Sequence, residues 1–535
     1  MLIHQISPSL YLTAPEYFLV ISFLSLIICQ FFIKEMDSDS YIEVSPSVLA
    51  LNSTYCFRVI RIFPNTADYA VLGKIFHYAI FLVAEKVGIG SLVIISDTFL
   101  NLHIMKNLLR SCLLLVLTAI PVAVSAQAQR SAEFKDKYTL KEAVVLSRHN
   151  IRSPLSDSKS VLGRMTPHDW HKWTAGKSEL TLRGGVLETE MGQYFRKWAV
   201  DAGLFPENYV PSADDLNVIA NSMQRCIATA QYFTGGFMPV GGVEVKHRYT
   251  PSKMDPLFNP QITKVNPEFI AVAMEQIKAR GGKKGIRGIN ENLEQDYALL
   301  AEVLDLNDSP LAKNNDPYLQ SLKNYDTEFI LEKFKEPGMK SGSALKELNS
   351  ASDAFILQYY EEPDSVKAAF GHKLSRKDWE RIAHVKDVYQ DVLFSTPVIA
   401  TNVAYPLIQY MYDELMSPDR KFTFLVGHDS NLGAVATALG VEEYELPGAI
   451  EKKTPIGSKI VIEKFIGPDG QEYGDINIVY QSVEQLKNMT LLDLDNPPMI
   501  YPLSLSGVER NADGLYKMSD IMQKFEQAMT AYQAL

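Results

Sequence analysis

Cysteine is nearly absent from this chain, which has only Cys29, Cys56, Cys112 and Cys226. Three of these precede the point where a folded domain begins, so Cys226 is left alone. A lone thiol closes no internal disulfide, which excludes a cystine-stapled scaffold and means that the redox compartment must be inferred from targeting. Positive charge is also in short supply: 52 Lys and Arg face 63 Asp and Glu. The resulting net charge of −11 argues against general affinity for nucleic acid, which needs a surplus of cations. An anionic substrate would have to be gathered by a local basic pocket. Internal repeats are lacking too, and the one biased stretch, Gly281 to Gly285, reads as a solvated loop. What is present is a 47% apolar composition, ordinary for a large packed core.

From Met105 the chain runs through a basic head (Lys106, Arg110), an apolar centre (Cys112 to Val124) and a close of small residues, Val124-Ser125-Ala126 or Ala126-Gln127-Ala128. That order is a secretory signal peptide with its cleavage site. Such a signal works at a nascent N-terminus, so Met105 is expected to be the initiator and residues 1–104 an upstream extension. The rival is a membrane anchor at Tyr17–Ile33, just long enough to span a bilayer but with no Lys or Arg before it to orient it. With the signal at 105–126 removed, the mature domain is 127–535, periplasmic or secreted and without stable membrane association.

Within that domain, Glu142 to Ser147 is a short apolar, partly β-branched run that ends abruptly in Arg148-His149-Asn150. Phe422 to Val426 repeats the pattern and ends in Gly427-His428-Asp429, with a helix expected from Asn431 to Leu439. Leu216 to Ala220 precedes Asn221-Ser222-Met223-Gln224-Arg225, and Ile460–Phe465 and Ile476–Tyr480 read as further strands. Strands that deliver charged residues from their C-terminal ends place a site where open α/β sheets put theirs. Thr181 caps a helix carrying Leu187, Met191, Tyr194, Phe195 and Trp198; residues 268–278, 293–304, 354–360, 378–393 and 398–415 are also helical in pattern. The expected fold is an α/β core (about 140–165, 205–250 and 395–535) with a mainly helical inserted part (about 166–204 and 251–394).

The segment Ser147 to Pro154 has chemistry of its own. Guanidinium is planar, permanently charged and able to grip phosphate through two bonds, so Arg148 and Arg152 can neutralise and orient a phosphate ester. Between them a neutral His149 can attack phosphorus and form a covalent intermediate. The leaving alkoxide needs a proton, and Asp429 beside His428 is the candidate donor, its protonated form favoured by nearby phosphate.

That combination resembles the histidine acid phosphatases, whose signature is an Arg-His-Gly-x-Arg-x-Pro loop early in the mature chain and a His-Asp pair late. Asn150 stands where the common signature has Gly, as in the periplasmic glucose-1-phosphatases of that family. The likeness extends to Thr166–Trp170, Arg183–Glu188, Ala220–Arg225, Met254–Pro260, Asp353–Glu361, Gly427–Asn431, Thr454–Gly457 and Val479–Ser482. It implies a mixed-sheet α/β core of the histidine phosphatase type, His149 as nucleophile and Asp429 as proton donor. It further implies that Arg148, Arg152, Arg225 and His428 hold phosphate, with no metal and no other cofactor. Glu361 matches a glutamate bordering the substrate pocket of the glucose-1-phosphatases, where a carboxylate would repel a polyphosphorylated ring and tolerate a neutral sugar.

The expected activity is therefore hydrolysis of a small phosphate monoester such as glucose 1-phosphate. Phytase activity on inositol hexakisphosphate is the alternative, and a membrane-anchored, non-catalytic phosphate-ligand binding protein is the alternative of another class. A cysteine phosphatase would need Arg six residues after its Cys, where Cys226 has Tyr232. His168 and His171, without further clustered ligands, read as hydrogen-bonding residues rather than a metal site. A cytosolic phosphomutase conflicts with the signal peptide. Nucleic acid is not an expected partner, and the oligomeric state is left open.

Overall fold

The computed structural model describes residues 130–156 and 159–535. The extension 1–104, the alternative anchor Tyr17–Ile33 and the signal peptide 105–126 lie outside the described residues.

The sheet is built around strand β1 (Thr139–Arg148), whose run from Ala143 to Arg148 is buried throughout. Helix α1 (Leu182–Asp201) follows, then β2 (Leu216–Ala220) and α2 (Gln224–Phe237). Helices α3 (Ala344–Glu361), α4 (Arg376–Phe394) and α5 (Pro397–Leu415) lead to β3 (Phe422–Gly427) and α6 (Asp429–Ala438). The chain returns through β4 (Lys459–Ile466), β5 (Glu472–Tyr480), β6 (Met499–Pro502) and β7 (Tyr516–Lys517) to helix α7 (Met518–Ala534). Strand order is β2-β3-β1-β4-β5-β6, with β7 also paired to β5. The pairs β1/β3 and β2/β3 are parallel, whereas β1/β4, β4/β5 and β5/β6 are antiparallel. The sheet is thus mixed, as expected.

Because side chains alternate along a strand, β1 feeds two cores. Val144 and Leu146 join the cluster that contains residues of α3, α4, α5 and α6. Ala143 and Val145 join the one that holds α1 and α2. In the second core Phe233 of α2 stacks on Phe424 of β3 with centroids 3.9 Å apart, and Phe195 of α1 meets Phe233 edge-on at 5.4 Å. Helix α1 thus packs on α2 and reaches β3 through Phe195, whose ring centroid lies 6.2 Å from that of Phe422. Between α2 and α5 the chain forms helices at Pro267–Arg280, Gly285–Asn292 and Glu294–Val303 as well as α3 and α4.

The strands and helices read from sequence lie at those places with ends shifted by a few residues, except that α3 starts at Ala344, ten residues earlier than its apolar pattern suggested. The Gly281–Gly285 loop is instead a short 3-10 turn, with Lys283 and Lys284 exposed, that passes straight into the helix Gly285–Asn292. That helix is held by tertiary contacts: Ile289 is buried, and Asn290 donates to the Tyr325 carbonyl at 3.0 Å.

Candidate active site

Parallel pairing of β2, β3 and β1 brings their C-terminal ends to one edge of the sheet, and the ladder continues into the loops beyond. The His149 amide donates to the Gly427 carbonyl at 3.0 Å, and the Asn221 amide donates to that of Val426 at 2.9 Å. Three loops are thereby set side by side, carrying Arg148-His149-Asn150, Asn221 to Arg225 and His428-Asp429. Gly427 is needed at this crossing, since a Cβ there would overlap the Asn431 side-chain oxygen and the Phe258 ring.

The imidazole of His149 is buried, and its Nδ1 lies 2.8 Å from the Asn150 carbonyl. A carbonyl only accepts, so Nδ1 carries the proton and Nε2 keeps its lone pair. Burial, then the charges of Arg225 and Arg152, hold its pKa well below that of a free histidine, so the ring is neutral. Asn150 anchors the loop. Its Nδ2 donates to Glu188 at 2.9 Å, its Oδ1 accepts from the Ile151 amide at 2.8 Å, and its own amide donates to Thr229. Glu188 in turn pairs with Lys459 at 2.8 Å, both side chains fully buried. Thr181 donates its amide to the Ile151 carbonyl at 2.9 Å, and Gly184 admits this contact because a Cβ there would meet the Ile151 backbone.

Arg148 is 1% exposed and donates from Nη1 to both Glu451 and the Thr454 carbonyl at 2.6 Å, while its Nη2 lies 3.5 Å from Asp429. Arg152 is held by Asp353 at 3.1 Å, and Arg225 donates to Ser178 Oγ at 3.2 Å. In all three, the buried Nε–H has no hydrogen-bond partner among the described residues. The same holds for Arg183 and Arg376, so what distinguishes the three is that their charges all act on one buried imidazole, an arrangement suited to the oxygens of an anion.

His428 accepts at Nε2 from Asn221 Nδ2 at 2.7 Å; the Asn221 amide is oriented by its Oδ1, which accepts from the Asp255 amide at 3.0 Å. Burial, then Arg225, depresses its pKa well below the usual value. Its ring stands edge-on to His149 with centroids 5.4 Å apart. Asp429, the first residue of α6, has a side chain 26% exposed, and Lys386 donates to its Oδ2 at 2.7 Å. Burial pushes this carboxyl upward, but Lys386 and Arg148 outweigh it and hold it well below the usual carboxylate range.

Six of the seven residues singled out by sequence converge here. The seventh, Glu361, lies at the end of α3, where its Oε2 accepts from Thr181 Oγ1 at 2.8 Å. It is one link removed from the histidine loop, and burial raises its pKa. Sequence reasoning did not find Lys386, Glu451 or Asp353. Asp353 stands in a segment already noted for its likeness; Lys386 sits within the α4 pattern with nothing local to distinguish it. His168 and His171 do not share a site: the first pairs with Asp305 at 2.6 Å, and the second faces Glu362 at 3.6 Å.

Residues 139–484 match the family described as "Histidine phosphatase superfamily (branch 2)". The chain is 37% identical to the glucose-1-phosphatase of Salmonella typhimurium, over 77% of this chain and 96% of that protein. It is 34% identical to the glucose-1-phosphatase of Providencia rettgeri, over 78% and 98%. Among solved structures, the apo form of Hafnia alvei phytase superimposes with a TM-score of 0.67 at 25% identity, covering 76% of this chain and 99% of that one.

Proposed function

The chain belongs to branch 2 of the histidine phosphatase superfamily and is a phosphatase of phosphate monoesters, and from that premise we propose that it hydrolyses glucose 1-phosphate through a phosphohistidine on His149. The observation that carries this reading is the group of unpartnered Nε–H donors on Arg148, Arg152 and Arg225, whose charges converge on a neutral imidazole with a free Nε2. In this reading the phosphoryl oxygens take those donors and the Nδ1–H of His428. The Nε2 lone pair of His149 forms the P–N bond as the ester P–O bond breaks, and Asp429 supplies a proton to the leaving oxygen. Water then cleaves the P–N bond.

Arg148, Arg152, Arg225 and Lys386 gather at the site against Asp353, Asp429 and Glu451, with Glu336 in electrostatic range of Arg225, so much of the positive charge is already offset by carboxylates. Phytase activity is the second reading, favoured by the likeness to Hafnia alvei phytase. Export to the periplasm or beyond, following cleavage after residue 126, belongs to the same proposal and agrees with the signal-like segment.

Purified protein beginning at Ala128, assayed on p-nitrophenyl phosphate, glucose 1-phosphate and inositol hexakisphosphate in EDTA, tests it. Metal-free hydrolysis with preference for the sugar phosphate is expected. Preference for inositol hexakisphosphate selects the second reading, and phosphate binding without turnover removes both.

A further inference from the structure

Lys386 is 6% exposed, sits in the middle of α4, and touches two of the three carboxylates in the site. Its Nζ lies 2.7 Å from Asp429 Oδ2 and 3.3 Å from Glu451 Oε1. Glu451 also holds Arg148, which in turn approaches the same Asp429 oxygen, so the four groups close a ring of alternating charge. Burying a lysine is costly unless its charge is used. Burial and Arg148 oppose its ionisation, yet Asp429 and Glu451 outweigh them.

The charged and titratable neighbours come from four places around it. Arg148 and His149 come from the end of β1, Asp429 from α6, Glu451 from the loop before β4, and Asp353 from α3. On its own helix, Asp387 accepts from the Lys452 amide and also feels the Lys386 charge, and Gln390 donates to the Asp429 carbonyl at 3.1 Å. The two oxygens of Asp429 are thus unlike. Oδ2 faces cations, whereas Oδ1 accepts one backbone bond, from Ser430 at 2.9 Å, and keeps a lone pair for a proton.

We propose that Lys386 is a positioning residue for Asp429, pairing with Oδ2 so that the transferable proton is carried on Oδ1 and stabilising the carboxylate once that proton has left. The proposal rests on Asp429 being the proton donor. In the first half-reaction the P–N bond to His149 forms, the ester P–O bond breaks with its electron pair on the leaving oxygen, and the Asp429 proton moves to that oxygen. In the second, a water oxygen bonds to phosphorus, the P–N pair returns to Nε2, and a water proton returns to Asp429. Lys386 opposes the protonated carboxyl that begins the first half and favours the carboxylate that begins the second.

Removing the charge should therefore act oppositely on the two halves. In single turnovers with excess enzyme, Lys386→Met should move the alkaline limb of glucose release upward by about one pH unit or more, the scale of an opposite charge at hydrogen-bond range. The phosphoenzyme should break down more slowly and accumulate, and Lys386→Arg should restore both. Lys386→Gln, which keeps a donor without charge, serves if the methionine variant does not fold. The protonated-carboxyl infrared band assigned by its loss in Asp429→Asn should titrate at higher pH in Lys386→Met than in wild-type enzyme without ligand. A limb that stays in place in both neutral variants, or a band that does not move when the lysine charge is removed, overturns the proposal. If Asp429→Asn slows glucose 1-phosphate and p-nitrophenyl phosphate equally, the donor assignment fails, and with it the proposal. If Asp429→Asn discriminates between them while the neutral variants leave the limb unmoved, only the role of Lys386 fails.

Discussion

His149 donates its Nδ1 proton to the carbonyl of the very next residue, Asn150, at 2.8 Å, and thereby leaves Nε2 unprotonated in a ring that feels the charges of Arg225 and Arg152. The tautomer of the ring is set by backbone rather than by a carboxylate. No acid is needed behind the ring to raise its basicity, and burial together with Arg225 and Arg152 lowers it further.

The pH dependence follows with a definite sign. A free histidine would be neutral in only about one molecule in thirty at pH 5. Because the pKa of His149 is depressed, the ring stays neutral as pH falls through that range. The acid limb of kcat/KM on p-nitrophenyl phosphate should therefore lie well below pH 6.5. A limb at 6.5 would place His149 in water.

Asp429→Asn should slow glucose 1-phosphate far more than p-nitrophenyl phosphate, whose anion leaves with little protonation. General acid catalysis contributes on the order of a hundred- to ten-thousand-fold, so the ratio of the two losses is easily read. Equal losses would make Asp429 an orienting group.

Glu451 is fully buried between Arg148 and Lys386. Removing one partner of a buried ion pair typically costs about 3–5 kcal/mol, so Glu451→Gln should melt well below wild type. Saturating phosphate, which binds only the folded site, should recover part of the loss. An unchanged melting curve would show that Arg148 is held by the Thr454 carbonyl alone.

Glu361→Gln keeps an acceptor for Thr181 and removes the charge. At an effective dielectric near 20, unit charges about 4 Å apart interact by roughly 4 kcal/mol before screening. The variant should raise kcat/KM for inositol hexakisphosphate relative to glucose 1-phosphate, and the gain should shrink with salt. An unchanged ratio at low ionic strength places Glu361 outside the pocket.

The sheet was legible because Ala143–Leu146 and Phe422–Val426 are buried on both faces and so read as unbroken apolar runs. The site was legible where such a run stops at a charge, as at Arg148 and His428. Lys386 and Glu451 were not, because their partners lie 43 and 65 residues away for the lysine and 303 for Arg148 with Glu451, and neither interrupts a local pattern. What helix α1 packs against was not legible for a related reason. Its stripe of Leu187, Met191, Tyr194 and Phe195 shows that one face is buried but not that Phe422 and Phe233 bury it.

The covalent intermediate is the central claim, and trapping it is the direct measurement. Enzyme mixed with a ³²P-labelled ester and quenched in alkaline detergent, where a phosphoramidate survives, should carry label on the peptide containing His149. The label should be lost in acid, and His149→Ala should neither label nor turn over while keeping its fold. Label on any other residue, or a His149→Ala enzyme retaining a tenth of wild-type kcat, would contradict the account.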